Sequence, residues 1–318
     1  MISKDGEILR AHLGMLLRAL ILGLSFTVVG LMGQALPPLL LTALRFAIAA
    51  SALLPVIWRT SGGLPRLPGF ALYAILGVCQ AAFFGAMFWA AHRMSALSMT
   101  VLNVSVPFLA YCFGLGFRVE KSSASLVGIL ALGACGALGL AWAENGSELG
   151  GVQGGLHLGV AESVFFAGCV GLALYSVLSK WGLSRQVISE RAAVRTFWSL
   201  ALGAVLVGAL GLMEDTPGAL RHLTLWDVFL LIYLGVFSTG GTFWLLQRAA
   251  AVLTPATTMA YSYAPPFVSM LLLFIREPQT LSLRWLPGSV LVVLAIALLL
   301  RRDVEHAIEP ARQPTGAH

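Results

Sequence analysis

The sequence predicts an all-α polytopic membrane protein with ten transmembrane helices arranged as two inverted five-helix repeats. Three observations predict this class. The chain is 58% apolar and only 11% charged, with a mean hydropathy of +0.87, where a soluble domain carries about 25% charge. Uncharged apolar windows of about 20 residues recur along it, the length that a ~30 Å hydrocarbon core demands. One sequence grammar also appears twice, at 88–120 (FWAAHRMSALSMTVLNVSVPFLAYCFGLGFRVE) and at 243–277 (FWLLQRAAAVLTPATTMAYSYAPPFVSMLLLFIRE).

The repeat keeps its landmarks in order, and the three residues missing between LGV and FW in the second copy are regained between Arg248 and Thr258. Trp89 precedes Arg93 by four residues, as Trp244 precedes Arg248. LGV at 76–78 and 234–236, Thr100 and Thr258, and Pro107 and Pro265 all share an offset of 158.

Ten spans follow in order, at roughly 13–33, 37–57, 70–91, 97–117, 124–142, 158–179, 195–212, 226–247, 255–275 and 285–301. Such long apolar runs are helices, because backbone groups in lipid must be satisfied within the segment. The first span lacks an A-x-A-like cleavage site and reads as a retained helix. Five spans, 13–142, form the first unit and five more, 158–301, the second. Between them lies the Gly-rich ENGSELGGVQGG (144–155), free of Lys and Arg as an outer loop should be. Residues 302–318 read as a polar, disordered cytoplasmic tail.

Charge sets the orientation. With the N-terminus inside, fourteen Lys and Arg fall on the inner side and four (Arg93, Arg221, Arg276, Arg284) on the outer. That asymmetry places both termini in the cytoplasm of a plasma membrane, in a bacterium the inner membrane. The basic excess is therefore no nucleic-acid signal. Five is odd, so the second unit enters from the opposite side. Inverted repeats of this kind place a substrate site at their interface, near the midplane.

Several spans carry features that a lipid-facing helix would avoid. In the fourth, Asn103, Pro107, Tyr111 and Gly114 form one polar, kinkable face. In the ninth, Thr258, Tyr261, Ser262, Pro265 (followed by Pro266) and Ser269 form the matching face. The eighth holds Ser238-Thr239-Gly240-Gly241-Thr242, where the glycines permit local unwinding or close helix packing. Trp198 and Ser176 join the cavity candidates. Ser176 shares a face with Glu162, Phe166, Cys169 and Ala173. Glu162 reads either as a protonatable or amine-binding carboxylate, or as an interfacial residue capped by loop amides. Arg45 and Arg195 occupy corresponding repeat positions and read as structural charges that snorkel or bind a loop carbonyl. The four cysteines all fall inside spans, the six histidines are scattered, and neither a metal site nor a cofactor is suggested.

The Arg early in the second span, FW-x-x-[HQ]-R closing the third and eighth, a Pro in the fourth and ninth, and Glu120 and Glu277 just after them resemble the EamA-type transporters of the drug/metabolite transporter superfamily. The resemblance covers about 13–301. One feature departs from it: the first span reads LGLSFTVVG, without the WG pair often found there. It implies ten helices around a central cavity and outward movement of small metabolites such as amino acids, amphipathic or aromatic compounds and drugs. A membrane enzyme is the competing reading, but no H-E-x-x-H, paired carboxylate or His cluster supports it. A receptor or assembly subunit is the third, and it would not need an inverted repeat. The expected partners are a small-molecule substrate and the bilayer. No oligomer is required, and either proton coupling through Glu162 or facilitated diffusion fits.

Overall fold

The computed structural model describes residues 4–31, 37–59, 65–91, 93–94, 96–144, 159–214, 217–276 and 283–308. His92, Glu277, the connector from 145 and the tail beyond 308 lie outside the described residues. The described chain is helical throughout: α1 Lys4–Gly30, α2 Pro38–Trp58, α3 Leu67–Ala91, α4 Ala96–Asn103, α5 Val106–Gly116, α6 Ala124–Glu144 and α7 Val160–Ser184. Then come α8 Ala192–Glu214, α9 Leu225–Tyr233, α10 Thr242–Val252, α11 Pro255–Ala260, α12 Ala264–Arg276 and α13 Trp285–Ile308. The last helix therefore continues to Ile308, past residue 302 where the tail was expected to begin.

Among the described residues, nine helices are long and apolar enough to cross a membrane, against ten expected. The difference lies in the ninth span. It is divided into α11, a 3-10 turn Tyr261–Tyr263 and α12, and no piece is long enough to cross alone. Proline explains the division. Pro265 and Pro266 lack an N–H, and their rings oppose the carbonyls four residues back, at Tyr261 and Ser262. Pro107 acts likewise on the fourth span, where α4 stops at Asn103 and α5 starts at Val106. The eighth span stays continuous but is π-helical from Leu234 to Gly241. Wider π turns at this depth leave carbonyls to be met by side chains, and Thr242 Oγ1 donates to the carbonyls of Ser238 and Thr239.

Helix contacts pair up under exchange of the two repeats. The third span (α3) packs on the sixth (α7), as the eighth (π segment and α10) packs on the first (α1). The second and seventh spans pack on each other, as do the fourth and ninth and the fifth and tenth. At the α6–α13 crossing the backbones nearly touch. A Cβ added to Gly288 would stand 2.8 Å from the Gly136 carbonyl oxygen and from the Leu140 nitrogen. Small residues permit such approach where helices associate in lipid.

Candidate functional site

The 3-10 turn in the ninth span sets Tyr261 fully inside the protein, 0% exposed. Its hydroxyl lies 2.6 Å from His12 Nδ1 on α1, and the two rings are tilted at 5.9 Å. The other ring nitrogen, Nε2, is 3.4 Å from Asp303 Oδ2 on α13, whose Oδ1 accepts from Arg302 Nη1 at 3.2 Å. Three spans from both repeats thus meet at one buried imidazole. Beside Tyr261, Ser262 Oγ is buried without a hydrogen-bond partner. One turn earlier, Thr258 Oγ1 lies 3.1 Å from Ser176 Oγ on α7.

Glu120 closes the same end. It follows the fourth span, is buried, and its Oε2 accepts from the backbone N–H of Ala256 at 3.3 Å. Burial pushes its carboxyl above the ordinary carboxylate range, opposed by the hydrogen bonds from Thr254 and Ala256 and by the charge of Arg302.

Arg195 is fully buried and fully bonded. Nε donates to Gln247 Oε1 at 2.9 Å, Nη2 to the Gln247 carbonyl, and Nη1 to the carbonyls of Ser189 and Glu190 at 2.7 and 2.8 Å. Gln247 Nε2 in turn donates to the Tyr175 hydroxyl at 2.7 Å and to Ser179 Oγ at 3.0 Å. The glutamine of FW-x-x-Q-R is thus the partner of the arginine that opens the seventh span. Arg45 is held less: Nη2 reaches Ser238 Oγ in the π segment at 3.4 Å, and Nε has no partner.

At the centre, Phe46 (α2), Phe84 (α3), Phe243 (α10) and Tyr175 (α7) pack edge-on or tilted, with centroids 5.2–6.4 Å apart. Two further buried polar residues were not singled out from sequence. Gln80 is buried with neither amide atom bonded, and Arg18, 8% exposed, has its Nε buried without a partner. A charge inside a span was the available signal for Arg18. Nothing in the local sequence marked Gln80.

The remaining candidates are spread out. Asn103 is half-buried at the end of α4. Tyr111 belongs to a second buried cluster, separate from that of Phe46 and Phe243, and its hydroxyl accepts from the Ser123 N–H at 2.9 Å. Trp198 is half-buried against Phe70 and Phe197. Thr239 is buried in the π segment with Gly240 and Gly241. Glu162 lies in the first turn of α7, where an acid complements the helix dipole, and its Oε2 folds over Gly159. Among the described residues no ion pair joins it to Arg45.

The model of the EamA-like transporter family matches this chain twice, at residues 9–142 and 160–301. Among curated proteins the chain is similar to the uncharacterized inner membrane transporter YedA of Escherichia coli K12. The two are 25% identical over 286 residues, covering 88% of each chain. The copy in strain O157:H7 matches equally. A solved crystal structure, 21% identical, aligns with a TM-score of 0.71 over 94% of this chain and 99% of its own. That likeness shows the fold.

Proposed function

Because the chain belongs to the EamA-like transporter family, and is thus a membrane transporter rather than an enzyme, we propose that it carries small metabolites across the inner membrane by alternating access. The units 13–142 and 158–301 are its two halves, with both termini in the cytoplasm. The observation that carries this reading is the pair of broken spans. Helices interrupted beside a midplane site are what a rocking carrier uses, and here the breaks at Asn103–Val106 and Tyr261–Tyr263 occupy matching repeat positions. The aromatic centre suits amphipathic or aromatic solutes such as amino acids and drugs. Export is the direction we assign.

Comparing extracellular metabolites with and without overexpression, followed by exchange of the enriched compounds in proteoliposomes, tests the reading. Exchange of at least one compound is expected. No exchange by protein that is folded in the same liposomes overturns it. Reporter fusions at residue 148 should read external and at 312 cytoplasmic, and the reverse pattern would remove the inverted arrangement assigned here.

A further inference from the structure

We propose that the aromatic centre, with Arg18 and Gln80, is a binding site for an organic anion: Arg18 takes its carboxylate or comparable acidic group, Gln80 supplies a neutral hydrogen bond, and Phe46, Phe84 and Phe243 hold its apolar body. This inference rests on the transport reading and names the charge of what is carried.

An arginine inside a bilayer is expensive, and two others in this chain find partners: Arg195 is fully bonded, and Arg45 reaches Ser238. Arg195 spends its donors on two carbonyls of its own loop and on both oxygens of Gln247. Arg18 has nothing comparable. It is over nine-tenths buried, its Nε has no acceptor, and among the described residues no carboxylate forms an ion pair with it. Met15, one turn before it on the same helix, belongs to the buried cluster that holds Phe46, Tyr175 and Phe243, and the Tyr175 hydroxyl is bonded to Gln247 and Ser199. Tyr175 packs on Phe243, and Phe243 on Phe46 and Phe84. Gln80 borders the same rings: a Cβ on Gly203 would stand 3.2 Å from the Phe46 ring and 3.3 Å from Gln80 Oε1. Gln80 also leaves both amide atoms unbonded. Buried polar groups are normally satisfied, so a cation and an amide left open around one aromatic cluster point to a ligand that completes them. Guanidinium forks bind carboxylates in two parallel bonds, which fixes orientation as well as charge.

The test uses full-length protein in nanodiscs and matched probes: benzoate, phenylacetate and indole-3-acetate, each beside its amide and its amine. At least one carboxylate should bind tenfold or more tighter than its amide and amine. Arg18→Gln should erase that preference, and Arg18→Lys should keep part of it. Without ligand, Arg18→Met should melt at or above the wild-type temperature, because it removes an uncompensated buried charge. Equal binding of the neutral or cationic probes, no binding of any carboxylate, or a strongly destabilised Arg18→Met overturns the anion site. Wild-type protein that exchanges solutes without an anion preference keeps the transport reading and loses this one. A clear preference without exchange does the opposite.

Discussion

Arg195 and Gln247 are joined twice, from Nε to the Gln247 side-chain oxygen at 2.9 Å and from Nη2 to its backbone carbonyl. The pair ties the start of α8 to the middle of α10, and through Tyr175 and Ser179 it also ties both to α7. Gln247→Leu keeps the volume and removes the amide. It would leave the Arg195 Nε and the Tyr175 hydroxyl short of a partner in a dry interior. Each hydrogen bond to a charged group is worth about 1.5–3 kcal/mol, so a loss of roughly 3 kcal/mol is expected. Thermal unfolding in detergent should show it as a large drop in midpoint. A midpoint within a degree or two of wild type would mean that the network is redundant.

The α6–α13 crossing gives a second stability test. Gly288 approaches the Gly136 carbonyl and the Leu140 nitrogen so closely that a methyl has no room and meets backbone, not a movable side chain. Gly288→Ala should cost on the order of 1–3 kcal/mol by overpacking and Gly288→Leu more. Gly128, with open space around its Cβ position, provides the control: Gly128→Ala should be neutral or slightly stabilising, because alanine is the better helix former.

These networks show what the sequence could convey. Hydropathy and the doubled motif located nine of the ten expected spans and their order, because both depend on the bilayer and on local proline and glycine chemistry. Which face of a span looks inward was less legible. Tyr111 shares a helical stripe with Asn103, yet its hydroxyl is bonded to Ser123 beyond the end of the helix. His12 is one of the scattered histidines in the sequence, since its partner Tyr261 is 249 residues away. Glu162 drew attention as a carboxylate in an apolar run, but it lies in the first helical turn. Arg18 and Gln80 gain meaning only from the lack of a neighbour, and no sequence pattern displays that lack.

Cysteine reactivity separates the two sides of the fourth and ninth spans. With the native cysteines replaced, cysteine at Asn103 or Ser262 should react with a small membrane-permeant thiol reagent, more slowly when a transported solute is present. Cysteine at Tyr111 should react slowly and without regard to solute. Protection at Tyr111 with inert Asn103 and Ser262 positions would move the pathway to the other face of α5.

Glu120 makes stability depend on pH in a defined sense. Its folded-state pKa is raised, chiefly by burial, so the folded chain holds this proton to higher pH than the unfolded chain does. Its contribution is fully present below the ordinary carboxylate pKa and is lost as pH rises through the folded value. Glu120→Gln keeps an oxygen for the Ala256 N–H and cannot ionise. The variant should therefore gain stability over wild type as pH rises from the ordinary carboxylate range, and the gap should close on acidification. A gap that widens toward acid would show that the ionised form is the stabilising one.

His12 gives the sharpest test of the junction between the first, ninth and tenth spans. Its Nδ1 lies 2.6 Å from the Tyr261 hydroxyl and its Nε2 3.4 Å from Asp303 Oδ2. His12→Phe keeps a ring and removes both nitrogens, which leaves the buried Tyr261 hydroxyl without its partner. An unpaired buried polar group costs about 1–3 kcal/mol, so the variant should unfold at a lower temperature in detergent. Adding Tyr261→Phe removes the orphaned hydroxyl and should recover part of that loss, because the two side chains act as one pair. A His12→Phe midpoint equal to wild type, or a double variant whose losses simply add, would mean that the contact contributes nothing to the junction.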